Sequence, residues 1–244
     1  MKLDTKPDSG AVLELDHIEN WIFDLDNTLY PAECHLFKEI DQRMTAFVQD
    51  RLGLGFDAAR RIQKDYYAEY GTTLSGLMQV NNVPPEDFLD YVHNIDLSVL
   101  PDGKDLSNAL NRLPGRKFIF TNGSVRHAEN VCGALGFDVA FDGIFDIVAA
   151  DYRPKPHRET YEQFIQTYDI DPKRAAMFED LAVNLEAPHA LGMTTVLIAS
   201  NATWLDDEPN KKRPAKPGET FPHVHHVTEN ISTLLNNITR LTAH

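Results

Sequence analysis

The stretch WIFDLDNTLYP, residues Trp21 to Pro31, begins as a buried strand and ends in a polar turn. Asp24 and Asp26 interrupt its apolar run, two positions apart. Carboxylates are costly to bury unless a partner compensates their charge. Residues two apart in a strand share a face, so both acids can face one crevice at the strand's end. The stretch therefore predicts a charged site beyond a buried strand.

Similar short runs recur downstream, and amphipathic helical stretches separate them. The strand-like runs are Trp21–Asp26, Lys117–Asn122, Ile144–Ala149, Ala175–Asp180 and Thr194–Ala199, and the helical stretches are Ser124–Leu135, His157–Tyr168 and Asn184–Leu191. Buried strands joined by helices indicate a parallel sheet with right-handed crossovers. The predicted fold class is α/β, a doubly wound parallel sheet in which ligands bind beyond the carboxyl ends of the strands.

The alternation fails between residues 31 and 100, where the pattern is helical throughout. Apolar residues at helical spacing predict helices in His35–Leu52, Asp57–Tyr70 and Pro85–Ile95, with breaks at Gly53–Gly55, Gly71 and Pro84–Pro85. We expect residues 31–100 to form a helical cap domain over the end of the first strand. Residues 1–30 and 101–244 would form the α/β core domain.

Composition limits the partners that this chain can have. The 244 residues are 42% hydrophobic and 25% charged, with a formal net charge of −14, as in a soluble globular protein. The negative charge argues against nucleic acid and membrane surfaces. Two isolated cysteines and a polar N-terminus, MKLDTKPDSG, indicate neither a disulfide framework nor a secretory signal, so a cytoplasmic location is expected. A monomer or a homodimer would both fit.

Two segments near the C-terminus have an unusual composition. Asp206–Gly218 is polar and rich in proline, and its short basic run is expected to be a solvated loop. The histidines of Pro222–Val227 could form a metal-binding tract, but their alternation favours a last strand with outward histidines.

Polar residues stand at the end of each strand in the predicted core. Asp24, Asp26 and Thr28 follow the first strand, and the others are Thr121, Asn122 and Gly123 after the second, Lys155 after the third, and Glu179 and Asp180 after the fourth. Asp24, Asp26 and Asp180 would form an all-oxygen cluster suited to Mg²⁺. Thr28, Thr121, the amides of Asn122 and Gly123, and Lys155 could hold phosphate oxygens. Together they predict a site for phosphoryl transfer.

The motifs FDLDNTLY, FTNG, RPKP and FEDLAVN resemble those of the haloacid dehalogenase (HAD) superfamily of phosphohydrolases, and they span nearly all the chain. The resemblance implies a Rossmann-like core and a cap of the first type. It also implies that Asp24 is the nucleophile and forms an aspartyl-phosphate. Asp26 would be the general acid and base, and Thr121 and Lys155 would hold the phosphoryl group. Asp180 would bind Mg²⁺, with Glu179 in support and the Asp26 carbonyl as a further ligand.

The resemblance also separates reactions within the superfamily. True dehalogenases lack an acid at the Asp26 position, because a halide leaves without a proton. A phosphonatase would be expected to present a cap lysine, whereas Lys38 and Lys64 are expected to be solvated. The implied enzyme is therefore a phosphomonoesterase.

The segment YGTTLSGL, Tyr70–Leu77, together with DLDNTLYP and FTNGSVRHAENV, resembles the pyrimidine 5′-nucleotidase branch. This implies that the substrate is a nucleotide such as UMP or CMP, with Thr72 and Thr73 contacting its base or ribose. On physical grounds alone, the segment reads as a helix break with Thr as a cap. Tyr30 and His35 could face the substrate or simply pack. A phosphosugar or phosphoglycolate substrate, and a non-catalytic phosphate-binding protein, remain the alternatives.

Overall fold

A computed structural model describes residues 15–204, 208–209 and 212–241. The predictions for the N-terminal ten residues, and for Asp206, Asp207, Asn210 and Lys211 of the polar loop, lie outside the described residues. No helix within these ranges is long and apolar enough to cross a membrane.

Within the described residues, the core contains one parallel sheet of six strands in the order β3-β2-β1-β4-β5-β6. The strands are β1 Asn20–Phe23, β2 Arg116–Phe120, β3 Gly143–Phe145, β4 Ala175–Glu179, β5 Thr194–Ile198 and β6 His226–Thr228. The predicted α/β class is confirmed, although each of the first five strands ends before the C-terminal residue predicted for it. The first strand stops at Phe23, so both acids of the opening stretch lie in the turn that follows it.

Helices cover the sheet and form the inserted segment. They are α1 Leu36–Leu52, α2 Phe56–Tyr70, α3 Thr73–Asn81, α4 Pro85–Val92, α5 Lys104–Arg112, α6 Val125–Ala134, α7 Arg158–Tyr168, α8 Glu186–Leu191 and α9 Ile231–Leu241. A 3₁₀ turn, Ala182–Leu185, occupies the start of the stretch predicted as a helix from Asn184.

Among the described residues, two large hydrophobic clusters lie in the core, a third lies mainly among α1 to α4, and a small fourth contains Ala32 and Ala202. Phe178 of β4 stacks on Phe23 of β1 with ring centroids 4.7 Å apart, which fixes the two strands whose ends carry the acids. The third cluster includes Ile40, Val48, Leu77 and Phe88, and Ile147 of the core adjoins it. The inserted helices therefore have an apolar centre of their own.

The histidine tract differs from its prediction. The last strand begins only at His226. His223 Nε2 lies 2.7 Å from the carbonyl oxygen of Ala182, and His225 Nδ1 lies 2.8 Å from the hydroxyl of Thr195. These two histidines therefore tie the segment before β6 to its neighbours, because inward hydrogen bonds are available to them there.

Candidate active site

Asp24 occupies the first position after the central strand. Its backbone N–H still donates to the carbonyl of Phe178, 2.9 Å away, which fixes the residue beside β4. The carboxyl group is buried and accepts two hydrogen bonds, from Lys155 Nζ at 2.6 Å and from the Thr28 hydroxyl at 3.2 Å. Thr28, predicted to bind phosphate, thus supports a carboxylate here and does not line the cavity.

Lys155 is a buried basic residue of the site. Besides Asp24, its ammonium group donates to Glu179 Oε1 at 2.8 Å and to the carbonyl of Phe120 at 2.9 Å. Burial by itself lowers the pKa of Lys155, but the charges of Asp24 and Glu179 outweigh it and hold that pKa above its ordinary value. Asn122 fixes the lysine's backbone, since its Oδ1 accepts from the Lys155 N–H at 2.8 Å.

Three buried carboxylates converge beside this lysine. One oxygen of each of Asp24, Glu179 and Asp180 lies within 4.8 Å of the others. Burial raises the pKa of Asp24 to about 7, against the opposing effect of Lys155. Burial, followed by the charges of Glu179 and Asp24, raises the pKa of Asp180 well above its ordinary value. Simultaneous ionisation of the three acids is therefore unfavourable without a further positive charge beside them.

These residues fit a hard divalent cation. Carboxylate oxygens are the ligands that Mg²⁺ accepts, and a cation would relieve the mutual repulsion of the acids. Asn27 donates to Asp180 Oδ2 at 3.2 Å, while its own buried Oδ1 has no hydrogen-bond partner among the described residues. Such an oxygen suits a metal ion or a water bound to it.

Glu179 holds a different position in the cluster. Its Oε1 accepts from Lys155 and, at 2.6 Å, from the Asn184 amide, and its Oε2 accepts from the Leu181 N–H at 2.8 Å. Both oxygens are thus already engaged with protein donors. This arrangement suits support of Lys155 better than direct binding of the metal.

Asp26 lines the same cavity as Asp24 but is turned toward other partners. Its Oδ1 accepts from the Tyr30 hydroxyl at 2.6 Å and lies 2.9 Å from His127 Nε2. Burial by itself raises the pKa of Asp26, but the His127 imidazole and these hydrogen bonds outweigh it and lower that pKa. For Tyr30, both substrate contact and packing were open. The residue is buried, and its hydroxyl donates to Asp26 Oδ1.

His127 was missed by the sequence reasoning. It lies in the first turn of α6, where its backbone N–H donates to the side chain of Ser124 at 3.2 Å. His93, which follows α4, stacks on it with ring centroids 4.2 Å apart. Burial and then the neighbouring His127 lower the pKa of His93 to about 3. The available signal was the position of His127 six residues after Thr121, close to the end of the second predicted strand, Lys117–Asn122.

Thr121 and Gly123 lie at the end of β2 and line the cavity with Asn122. The Thr121 hydroxyl oxygen accepts from the Gly123 N–H at 2.9 Å. Its own O–H can therefore donate to an oxygen bound in the cavity. The structure thus brings together, around one cavity, the strand-end residues Asp24, Asp26, Thr121, Asn122, Gly123, Lys155, Glu179 and Asp180.

The inserted helices form the roof of this cavity, whose volume is about 140 Å³. Asp41 and Gln63 line it, and Lys64 Nζ donates to Asp41 Oδ1 at 3.0 Å and to Glu208 Oε1 at 2.6 Å. The expectation that Lys64 is solvated is wrong, because these two carboxylates hold its ammonium inside the roof. Lys38 is exposed, as predicted.

Thr72 and Thr73 also line the cavity, but both hydroxyls have protein partners. Thr72 caps α3 by accepting from the Ser75 N–H at 3.1 Å, and the Thr73 hydroxyl donates to the carbonyl of Gln63 at 3.2 Å. The physical interpretation of this segment, a helix break with a Thr cap, describes its geometry.

The polar loop near the C-terminus reaches the roof as well. Lys212 Nζ donates to the carbonyls of Tyr67 at 2.6 Å and Gly71 at 3.0 Å, at the end of α2. The prediction of a solvated basic run is therefore wrong for Lys212. Burial lowers the pKa of its ammonium to about 8.

The chain is similar in sequence to proteins that are already known. The sequence model for the haloacid dehalogenase-like hydrolases matches residues 18–192. Phosphate metabolism protein 8 of Saccharomyces cerevisiae is 34% identical over 137 residues, a match that covers 51% of this chain but 42% of the yeast protein.

Two solved structures share the fold at low identity. CbbY of Rhodobacter sphaeroides, in complex with phosphate, gives a TM-score of 0.59 at 19% identity over 89% of this chain and 96% of its own. YfnB of Bacillus subtilis, bound to magnesium, gives 0.54 at 13% identity over 92% of this chain and 98% of its own.

Proposed function

Because the chain belongs to the haloacid dehalogenase-like hydrolases, we propose that it is a Mg²⁺-dependent phosphomonoesterase acting through an aspartyl-phosphate at Asp24. The observation that carries the proposal is the buried contact of Asp24 with Lys155, beside Asp180 and facing the cavity. A carboxylate, a cation and a metal-binding acid around one space are the parts that phosphoryl transfer requires.

Asp24 would attack phosphorus, and Lys155 and Thr121 would hold the phosphoryl oxygens as charge spreads over them. Asp24, Asp180 and the Asp26 carbonyl would hold the metal, with Glu179 fixing Lys155. A bound Mg²⁺ would supply positive charge that lets two anions, carboxylate and phosphate, approach each other.

Asp26 distinguishes ester hydrolysis from dehalogenation. An alkoxide is a poor leaving group and needs a proton, which an acid at this position can provide. The lines of support are that Asp26 borders the cavity and that its carboxyl is held by two neighbours.

For the substrate, we infer a pyrimidine nucleoside 5′-monophosphate, bound under a cap formed by residues 31–100. The roof offers hydrogen-bond acceptors and donors in Asp41, Gln63 and Lys64, and the aromatic rings of Phe37 and Trp204 also border the cavity. A cavity lined by both polar groups and aromatic rings has features that suit a nucleobase. Gln63 and Lys64 both donate to Asp41, so a base would exchange with these contacts, as it would with the engaged hydroxyls of Thr72 and Thr73.

The test is a set of kcat/KM values for phosphate release from UMP, CMP, AMP, GMP, phosphoglycolate and a hexose phosphate. We expect UMP and CMP to exceed the purine nucleotides by at least about tenfold, since a site built on hydrogen bonds rejects partners that leave it unpaired. Higher values for phosphoglycolate or the sugar phosphate would replace the nucleotide while keeping the phosphatase. No phosphate release from any of them would leave a non-catalytic phosphate-binding protein.

A further inference from the structure

Two hydrogen bonds converge on a single oxygen of Asp26, and this asymmetry carries an inference that rests on the proposed function. Oδ1 accepts from the Tyr30 hydroxyl and contacts His127 Nε2, while none of the described residues donates to Oδ2. We propose that His127 is a positioning residue that, together with Tyr30, fixes Asp26 Oδ1 and keeps Oδ2 for the proton exchanged with substrate and water.

In the proposed reaction, Asp26 carries a proton at the start of the first half and is ionised at the start of the second. In the first, a bond forms between an Asp24 oxygen and phosphorus as the bond from phosphorus to the leaving oxygen breaks, and the leaving oxygen takes the proton from Oδ2. In the second, water forms a bond to phosphorus, the bond from phosphorus to Asp24 breaks, and the proton of water passes to Oδ2. Oδ1 remains an acceptor in both states, so His127 and Tyr30 need not move during the cycle.

His127 is itself firmly held, as a positioning residue must be. Its side chain is 1% exposed, and it stands on the first turn of α6, which Ser124 caps. On one face lies the parallel ring of His93, whose Nδ1 is 3.3 Å from the Ser124 hydroxyl. A ring fixed by a helix and by a second ring restricts the carboxyl that it contacts.

The stacked ring also connects two parts of the chain. His93 follows α4, the last helix of the inserted segment, whereas His127 belongs to α6 beside the sheet. The alignment of Asp26 is thereby supported from the insert as well as from the core.

The experiment compares UMP, whose leaving group needs a proton, with 4-nitrophenyl phosphate, whose leaving group does not. The variants are His127→Leu, which removes the donor at similar volume, His127→Gln, whose amide can place an N–H near the same point, and Tyr30→Phe, which removes one hydroxyl. Values of kcat/KM are used because they report the first phosphoryl transfer, in which Asp26 would act as the acid.

We expect His127→Leu to lower kcat/KM for UMP by about 10²-fold and that for 4-nitrophenyl phosphate by only about threefold, since general acid catalysis contributes 10²–10⁴-fold. Tyr30→Phe should give a smaller split of the same sign, and His127→Gln should recover most of the UMP activity. Thermal unfolding of each variant controls for folding, and if His127→Leu does not fold, Tyr30→Phe and His127→Gln decide.

A second readout does not depend on turnover. In metal-free protein labelled with ¹⁵N, the His127 Nε2–H should give a slowly exchanging imidazole proton that Asp26→Ala removes. Absence of that proton, equal loss on both substrates, or a folded His127→Gln no better than His127→Leu would each overturn the role of His127. If the wild-type protein hydrolyses neither substrate, the proposed function fails first, and the inference fails with it.

Discussion

At the scale of single residues, the main feature of the site is a group of buried acids. Asp24, Glu179 and Asp180 are buried together, and Lys155 donates to the first two of them. The third, Asp180, has the Asn27 amide as its hydrogen-bond donor, which brings no net charge. A buried acid in this position is expected to depend on a metal ion.

Asp180→Ala should therefore raise the Mg²⁺ concentration for half-maximal phosphatase activity by about tenfold or more, because water alone replaces the lost ligand. Chelation with EDTA should abolish wild-type activity, and excess Mg²⁺ should restore it. Glu129→Ala, which removes an exposed acid on α6, is the matched control and should leave the Mg²⁺ dependence unchanged. Wild-type activity that survives chelation would remove the metal from this account.

Some of these residues could be predicted from the sequence and some could not. Asp24, Asp26, Thr121, Lys155 and Asp180 follow strands, and the ends of parallel strands meet at one edge, so their proximity follows from the pattern. His127 and Lys212 act through contacts between distant segments, with Asp26 and with the end of α2. Local periodicity carries no information about such contacts.

At the scale of elements, α3 shows where the helical pattern was too weak to be recognised. The sequence predicted a break at Gly71, and the backbone there has φ of +91°. The helix α3, which was not predicted, follows almost directly. Its Gly76 packs beneath the ring of Tyr66 on α2, where an added Cβ would lie 2.3 Å from Cγ. A short helix with a central glycine lacks a strong signal, and packing against α2 compensates for it.

This packing makes a paired substitution informative. Gly76→Ala should lower the free energy of unfolding by about 1–3 kcal/mol, because Tyr66 must move from a packed position. Gly133→Ala, on the exposed side of α6, has nothing within 4 Å of the added Cβ and should raise it by about 0.5–1 kcal/mol. Denaturant unfolding measures both, and equal effects in the two variants would contradict the packing argument.

At the scale of the whole molecule, the strand order explains why the site forms. The first strand lies between β2 and β4, so Asp24 stands between the strand ends that carry Thr121 and Glu179. The inserted segment, residues 31–100, follows β1, and its helices form the roof, in which Lys64 donates to Glu208. Lys212 donates to the carbonyl of Tyr67 on α2, so the polar loop contacts the roof as well. In the proposed function, the phosphoryl group would therefore be held at the end of the sheet, and the leaving group would be selected by the insert.

The central claim is that Asp24 is the nucleophile of a phosphomonoesterase, and Asp24→Asn tests it most directly. The amide keeps the size of the side chain but removes the negative charge that attacks phosphorus. Initial rates of phosphate release from UMP in saturating Mg²⁺ should fall from a measurable wild-type value to background, with an unchanged far-UV circular dichroism spectrum. A folded Asp24→Asn protein that retains more than about a tenth of wild-type turnover would contradict the covalent mechanism, since a contribution of 10²-fold or more is expected of a nucleophile.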